Sequence, residues 1–168
     1  SVAASALAAQ DMRVTQTWPI GRVMEGTSPM AFTPDLAYHV ALVPAAQVRD
    51  PAWKEGALGL WRTADHTLLK QIPLTDRGTL GAPSLSADLL WVCFSVKSRE
   101  LEIWNIQTEQ RLASLPTHVT ADADFHPTDG TLIALLSGEL LRIHLPDLRQ
   151  ESLAHDLAIT PQLVVSPD

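Results

Sequence analysis

The sequence predicts an all-β fold built from repeated four-stranded antiparallel sheets. A short turn motif occurs four times, in which an apolar or aromatic residue is followed by turn residues and an aspartate. The copies are Phe32-Thr33-Pro34-Asp35, Leu85-Ser86-Ala87-Asp88, Phe125-His126-Pro127-Thr128-Asp129 and Val165-Ser166-Pro167-Asp168. The aspartates follow one another at intervals of roughly 40 to 50 residues, a period at which one supersecondary unit repeats along a chain.

Two further patterns repeat in step with the turn. A short motif of leucine, any residue, leucine or isoleucine, and a ring ends at Trp61, Trp104 and His144. A more polar segment with proline in the same place occurs at 14–20, 68–74 and 111–117. Agreement between three independent patterns indicates a true structural repeat.

The patterns predict four strands, a to d, in each repeat. Strand a ends at the aspartate turn. Strand b is almost continuously apolar, as at 89–94 and 132–136, which predicts burial on both faces. Strand c carries the ring, and strand d is polar and ends in proline, which is typical of an outer edge strand. Sheets that are buried on both faces have to stack face to face.

The repeat resembles the WD-repeat β-propeller family. The resemblance rests on the turn motif and on Ile103-Trp104-Asn105, where the family has a hydrophobic residue, Trp and Asp. The sequence departs from the family in that no Gly-His pair opens a blade, Arg62 follows Trp61, and His144 stands where Trp is expected. The resemblance implies a propeller in which the family's buried His, Ser, Trp and Asp hydrogen bonds are incomplete. Apolar packing between blades then has to supply more of the stability.

The predicted organisation is three full blades with a lone strand at each end. The ranges are a linker or junction at 1–13, a strand d at 14–20 that closes a neighbouring or last blade, blades at 21–74, 75–117 and 118–157, and a strand a of a following blade at 158–168. Propellers typically close with four to eight blades. We therefore interpret the chain as an incomplete ring, whose remaining blades come from the same protein or from other copies. We expect the segment alone not to form a stable monomer.

The repeated residues are assigned structural roles. The rings are expected to be buried in strand c, with Trp61 and Trp104 against strand b of their own blade and the face of the next blade, and the aspartates are expected to form turns. These residues are Trp61, Trp104, His144, Asp35, Asp88, Asp129 and Asp168.

The first blade carries an insertion between strands b and c, at 44–56. Two prolines and Gly56 mark it as loop, and Trp53 lies at its tip among charged residues. Trp53 either folds back over the blade edge, since most Trp side chains are largely buried, or anchors a partner. Loops that interrupt a repeat often carry its specificity, so Arg49, Trp53 and Lys54 are the candidate partner-binding residues.

Composition narrows the classes of partner. The formal net charge is −7 and no cluster of Lys and Arg occurs, so nucleic acid is not expected as a partner. No apolar run reaches the roughly 18 residues of a membrane span. The single cysteine, Cys93, lies inside an apolar strand and is interpreted as a core residue that forms no disulfide. A cytoplasmic location is expected.

Catalytic chemistry is sparse in the sequence. Asp122, Asp124, His126 and Asp129 lie close together, but their spacing matches no Ca²⁺ loop. There is no Gly-x-Ser-x-Gly elbow and no Gly-rich phosphate loop. Spacing does not decide whether a Ser-His-Asp triad assembles, because triads form across a fold. We predict no catalytic residue, no metal ligand and no cofactor.

Two functions follow from these patterns. The first is a non-catalytic protein-protein interaction or scaffold module with a regulatory role in a larger protein, bound to a protein partner. The alternative is a ligand- or cofactor-binding propeller of an enzyme or extracytoplasmic binding protein that uses the central channel. Convergent polar groups at the channel favour the alternative, and an apolar patch rimmed by polar loops favours the interaction module.

Overall fold

Three four-stranded antiparallel sheets make up the computed structural model, which describes residues 30–74, 82–96, 99–117, 122–157 and 165. Sheet 1 contains β1 (Ala31–Phe32), β2 (Tyr38–Leu42), β3 (Ala57–Arg62) and β4 (Thr67–Pro73). Sheet 2 contains β5 (Ser84–Leu85), β6 (Trp91–Val96), β7 (Glu100–Asn105) and β8 (Gln110–Pro116). Sheet 3 contains β9 (Asp122–Phe125), β10 (Leu132–Leu136), β11 (Glu139–His144) and β12 (Arg149–Ala154).

Each sheet is an up-and-down meander, because its strands pair in the order in which the chain makes them. The four strands correspond to the predicted strands a, b, c and d, so the all-β prediction of four-stranded blades is confirmed. A turn of 3-10 helix at Ala45–Gln47 lies in the insertion of sheet 1. The predicted linker at 1–13, the strand at 14–20, Asp168 and, apart from Val165, the strand at 158–168 lie outside the described residues.

One predicted strand begins later than its sequence pattern suggested. Strand b of sheet 2 begins at Trp91 and not at Leu89. Leu89 has a φ of 60°, and its N–H donates to the Ser86 carbonyl over 3.0 Å, so it belongs to the turn. An apolar run does not distinguish a strand from a turn that carries leucine, which explains the error.

Apolar side chains fill the spaces between neighbouring sheets. The first core joins sheet 1 to sheet 2, and its buried members are Val40, Leu58, Leu60, Ile72, Leu74, Leu85, Val92, Phe94, Val96, Trp104 and Ile106. The second core joins sheet 2 to sheet 3, and its buried members are Cys93, Leu101, Ile103, Phe125, Leu132, Ala134, Leu136, Leu141 and Ile143. Sheet 2 therefore has an apolar core on each face, as the prediction of face-to-face stacking requires.

The inner strands of the three sheets meet one another. β1 contacts β5, and β5 contacts β9, whereas β4, β8 and β12 stand at the opposite edges of their sheets. The sheets therefore converge at their strands a, which would face the channel of the predicted propeller; this side is called the channel side. Their strands d form the outer side.

The aspartate turns of the first two sheets have the same hydrogen bonds. The Thr33 hydroxyl donates to Asp35 over 2.6 Å and accepts the Tyr38 N–H over 3.1 Å. The Asp35 carboxylate also accepts the Ala37 N–H over 3.0 Å. In sheet 2, Ser86 and Asp88 make the equivalent bonds at 2.6, 2.9 and 3.0 Å. The motif therefore encodes a hydroxyl that closes the turn and a carboxylate that orients it.

The third aspartate turn is built differently. His126 replaces the hydroxyl residue, and the turn is one residue longer than the other two. Asp129 accepts from the Thr131 N–H over 2.9 Å and from the Thr131 hydroxyl over 2.7 Å. Gly130 has a φ of +69°, in the left-handed region that glycine adopts without strain.

Truncation of Trp104 tests the stacking of the sheets. The side chain is 6% exposed and lies in the first core, so Trp104→Ala should lower the free energy of unfolding by about 3–5 kcal/mol. Urea denaturation followed by circular dichroism measures this loss. A loss below about 1 kcal/mol would mean that Trp104 is not a core residue.

Acid should loosen the aspartate turns. Hydrogen bonds from Thr33 and from the Ala37 N–H lower the pKa of Asp35 below 3.8, and those from Thr131 lower the pKa of Asp129. A lowered pKa contributes stability above pH 3.8 that is lost as the pH falls further through the folded-state pKa. Urea unfolding between pH 5 and 2 should show a shallower pH slope for Asp35→Asn and for Thr33→Val than for the wild type. Identical slopes would contradict the assignment.

Candidate functional site

The insertion at 44–56 wraps the outer edge of sheet 1 and is tied to β4. The buried side chain of Gln71 accepts the Arg49 N–H over 2.8 Å and donates to the Gln47 carbonyl over 2.9 Å. Within the loop, Asp50 accepts the Ala52 N–H over 2.8 Å. One glutamine side chain thus fixes the loop at two backbone positions, which orders it against the sheet.

Arg49 links the insertion to the next sheet. Its guanidinium donates to both carboxylate oxygens of Glu109, over 2.6 and 3.3 Å, and lies 5.1 Å from the centre of the Trp53 ring. Hydrogen bonding by Arg49 lowers the pKa of Glu109, with a smaller effect of the charge on Lys70. The Arg49 side chain remains 55% exposed, so the ion pair lies at the surface.

Trp53 packs against sheet 1, whereas Lys54 does not belong to any core of the described residues. Partly buried Trp53 and Val48 pack on a third core on the side of β3 away from the first core. The buried members of this loop-side core are Ala41, Val43, Ala57 and Trp61. Lys54 is exposed. The insertion therefore presents a partly accessible aromatic ring with a guanidinium over it, and the exposed Lys54 is the next residue along the chain.

The ring positions of strand c have a different environment in each sheet. In sheet 2 the Trp104 indole N–H donates to Glu102 over 2.8 Å, and Arg111 donates to the other Glu102 oxygen over 3.1 Å. Glu102 is 1% exposed, so this carboxylate is held by two donors inside the blade. The ring was expected to face the following blade, but Trp104 lies in the core shared with sheet 1.

In sheet 1 the equivalent Trp61 belongs to a stack of rings. His66 lies parallel to it at 4.4 Å between ring centres, and buried His39 lies 5.5 Å from His66. Phe32 continues the stack at 5.3 Å from His39. Gly59 makes room for this arrangement, because a Cβ there would come within 2.7 Å of the Trp61 indole nitrogen.

In sheet 3 His144 occupies the ring position but is only partly buried. Its Nε2 lies 3.9 Å from a carboxylate oxygen of Glu151 on β12. The side chain is 28% exposed, and no core of the described ranges includes it. The three sheets thus have a ring at the same position of strand c, but the contacts of that ring differ from sheet to sheet.

A cleft of about 220 Å³ opens on the channel side, where the three strands a meet. Each sheet contributes a proline to its wall, and two phenylalanines and Val165 also line it. These residues are Pro34, Pro83, Pro127, Phe32, Phe125 and Val165. Phe32 is 43% exposed, whereas Phe125 is 5% exposed. The cleft therefore has one accessible aromatic face.

A polar pair that crosses from sheet 2 to sheet 3 lies in this cleft. The Ser84 hydroxyl donates to Asp124 Oδ1 over 2.6 Å and accepts the Phe125 N–H over 3.1 Å. The Val165 N–H is 3.5 Å from Asp124 Oδ2. Asp124 is the one ionisable residue among the described residues that line the cleft.

The residues that could serve as metal ligands or nucleophiles are either far apart in the structure or already hydrogen-bonded or buried. Within the described ranges, no three His, Cys, Asp or Glu side chains form a group able to hold a metal ion. His126 lies 3.3 Å from Asp129 and 3.0 Å from Thr128, inside its own turn. Burial raises the pKa of the Cys93 thiol far above its ordinary value. In the part of the chain that the structure describes, no helix is long and apolar enough to cross a bilayer.

Sequence reasoning missed the residues that fix these arrangements. Glu102 looks like a solvent-facing charge in an alternating strand, and nothing in its neighbourhood indicates that two donors enclose it. Gln71 and Glu109 lie in the polar strand d and in a turn, where such residues are common. Asp124 lies in an acidic segment of the sequence, but its contact with Ser84 depends on how two sheets dock.

The fold matches solved WD40 propellers. Similar structures include the β-propeller domain of Cps50 (Swd1) from Myceliophteria thermophila, with 14% identity, a TM-score of 0.57, and coverage of 83% of this chain and 40% of that chain. The WD40 repeats of RRP9 match with 14% identity, a TM-score of 0.58, and coverage of 80% of this chain and 41% of that chain. The U3-55K structure matches with 15% identity, a TM-score of 0.55, and coverage of 80% and 41%.

These comparisons establish the fold, and the predicted resemblance to the WD-repeat β-propeller is confirmed. The chain spans about two fifths of the length of the structures it matches, at 40 to 41%. No family model and no curated protein matches the sequence.

Protonation of the ring stack should destabilise sheet 1 in mild acid. Burial, and to a smaller extent repulsion from His66, lowers the pKa of His39 below 6.5. The contribution of neutral His39 is therefore complete above pH 6.5 and is lost as the pH falls towards the folded-state pKa. Melting temperatures at pH 7.5, 6 and 5 should fall less for His39→Gln than for the wild type. His155→Gln, at a side chain that is 68% exposed, is the matched control. An unchanged fall in His39→Gln would contradict the assignment.

Proposed function

We propose that this chain is a non-catalytic protein-interaction module, in which the ordered insertion of sheet 1 contacts a protein partner. The observation that carries the proposal is the attachment of the loop through Gln71 and Glu109, with Trp53 and Arg49 partly accessible. A loop held in one conformation loses little entropy on binding, which leaves more of the contact energy for affinity. Aromatic and arginine side chains are the residues that most often dominate interfaces.

The charge of the site defines the partner it suits. Arg49 is neutralised by Glu109, whereas Lys54 is exposed and has no ion pair among the described residues. The partly accessible Trp53 ring adds apolar surface next to the Arg49 guanidinium. A partner segment that combines an apolar or aromatic side chain with a carboxylate could contact the Trp53 ring with the first group and Lys54 with the second.

The channel side supports the interaction function over the ligand-binding alternative. Pockets for cofactors and drug-sized ligands typically have volumes of about 300–1,000 Å³. The cleft has about 220 Å³, and its lining side chains are apolar apart from the hydrogen-bonded pair Ser84 and Asp124. It is smaller than such pockets, and Ser84 and Asp124 are the only polar side chains among the described residues that line it, fewer than an active site typically brings together.

Site-specific cross-linking tests the proposal directly. A photo-reactive amino acid at position 54, in the full-length protein, should cross-link to one protein in an extract of the source cells. Excess unlabelled protein should compete the cross-link away. The same group at the exposed position 150, on β12, is the matched control and should not capture that protein. Equal capture from both positions would contradict a partner surface on the insertion.

Charge variants of the loop should separate binding from folding. The exposed Arg49–Glu109 ion pair contributes about 0–1 kcal/mol to stability, so Arg49→Gln should leave urea unfolding nearly unchanged. Lys54→Ala should also leave it nearly unchanged, because the Lys54 side chain is exposed. Lys54→Ala should weaken capture of the cross-linked protein about fivefold or more, the effect of an interface residue worth roughly 1 kcal/mol. Isothermal titration calorimetry with that protein measures the dissociation constant of each variant. Unchanged affinity for both variants would remove the loop from the interface.

A further inference from the structure

The cleft on the channel side lies apart from the insertion and has its own chemistry. It is formed at the ends of strands a and in the adjoining aspartate turns, whereas the insertion joins strands b and c at the other end of sheet 1. We infer that this cleft binds a positively charged side chain, arginine or lysine, from a segment of a protein partner. The inference rests on the proposed interaction function in assigning that charge to a protein.

Charge complementarity is the first reason. Asp124 lines the cleft, and its carboxylate is held by neutral donors, the Ser84 hydroxyl and the more distant Val165 N–H. No Lys, Arg or His pairs with Asp124 among the ion pairs of the described residues. A partly enclosed carboxylate without a cation attracts one more strongly than an exposed carboxylate, because water screens it less.

The wall of the cleft is the second reason. Phe32 presents an aromatic face at 43% exposure, and three prolines provide apolar contact. Lysine and arginine bury their methylene groups against apolar surface and keep their charged end on a polar partner. A cation over an aromatic face gains further attraction, and arginine also stacks on it.

Size is the third reason. A volume of about 220 Å³ accepts one long side chain and not a cofactor, for which about 300 Å³ is a lower bound. Since the walls come from sheets 1, 2 and 3, the cleft exists only while the sheets are docked. Binding at the cleft would therefore also favour the docked arrangement.

The test uses short peptides of defined charge. Three seven-residue Gly-Ser peptides, with a central arginine, lysine or glutamine, are titrated into the ¹⁵N-labelled full-length protein. Amide chemical shifts report where each peptide binds. We expect saturable shifts around Phe32, Ser84 and Asp124 with the arginine or lysine peptide, weakened by added salt, and none with the glutamine peptide.

Variants decide whether the cleft is the site. Asp124→Asn keeps an acceptor for Ser84 and removes the charge, so the basic peptides should bind at least about tenfold more weakly. Asp156→Asn, at an exposed residue with a φ of 56° that asparagine tolerates, makes the same change in net charge and should bind as the wild type does. Phe32→Leu should weaken binding about two- to fivefold by removing the aromatic face.

Each outcome bears on the inference. Equal binding of the glutamine peptide, shifts away from the cleft, or wild-type affinity in Asp124→Asn would overturn it, as would no saturable binding of either basic peptide. If Asp124→Asn does not fold, Phe32→Leu carries the test, since Phe32 is exposed and contributes less to the core. Cross-linking from position 54 does not involve the cleft. A failed peptide titration together with specific cross-linking therefore overturns this inference and leaves the proposed function standing.

Discussion

Apolar contact between facing sheets is the constraint on which the rest of this structure depends. Sheet 2 has a core on each face, because Val92 and Phe94 of β6 lie in the first core whereas Cys93 lies in the second. A strand whose alternate residues serve two cores cannot be exposed on either side. This requirement fixes the stacking of the sheets, and the stacking brings the three strands a together to form the cleft.

The polar contacts of the ring on strand c differ between the three sheets. Trp104 has the buried Glu102 as acceptor, whereas Trp61 stacks on His66, and His144 is left partly exposed. A carboxylate buried with two donors is costly if one donor is lost, so the Glu102 contacts specify the position of the ring more than they add stability. The hydroxyl and aspartate turns are the polar element that recurs most faithfully, in the first two sheets.

The repeat patterns in the sequence were sufficient to predict the strands, their order and the stacking of the sheets. Turn aspartates and apolar periodicity act locally, so they are visible in one sequence. The start of β6 was misjudged because Leu89 is apolar but lies in a turn. The course of the insertion and the Ser84–Asp124 contact depend on residues about 20 to 40 positions apart, at separations of 22 and 40. No local pattern encodes such pairs, so the candidate sites could be predicted only in part.

Hydrogen exchange tests the dominance of sheet stacking most directly. Amides of β6 lie between two cores, whereas the residues of β12 are almost all exposed on an outer edge. If stacking dominates, native-state exchange of β6 should require an opening free energy close to that of global unfolding, and β12 should exchange through smaller local openings. Equal protection of the two strands, or faster exchange in β6, would contradict the account.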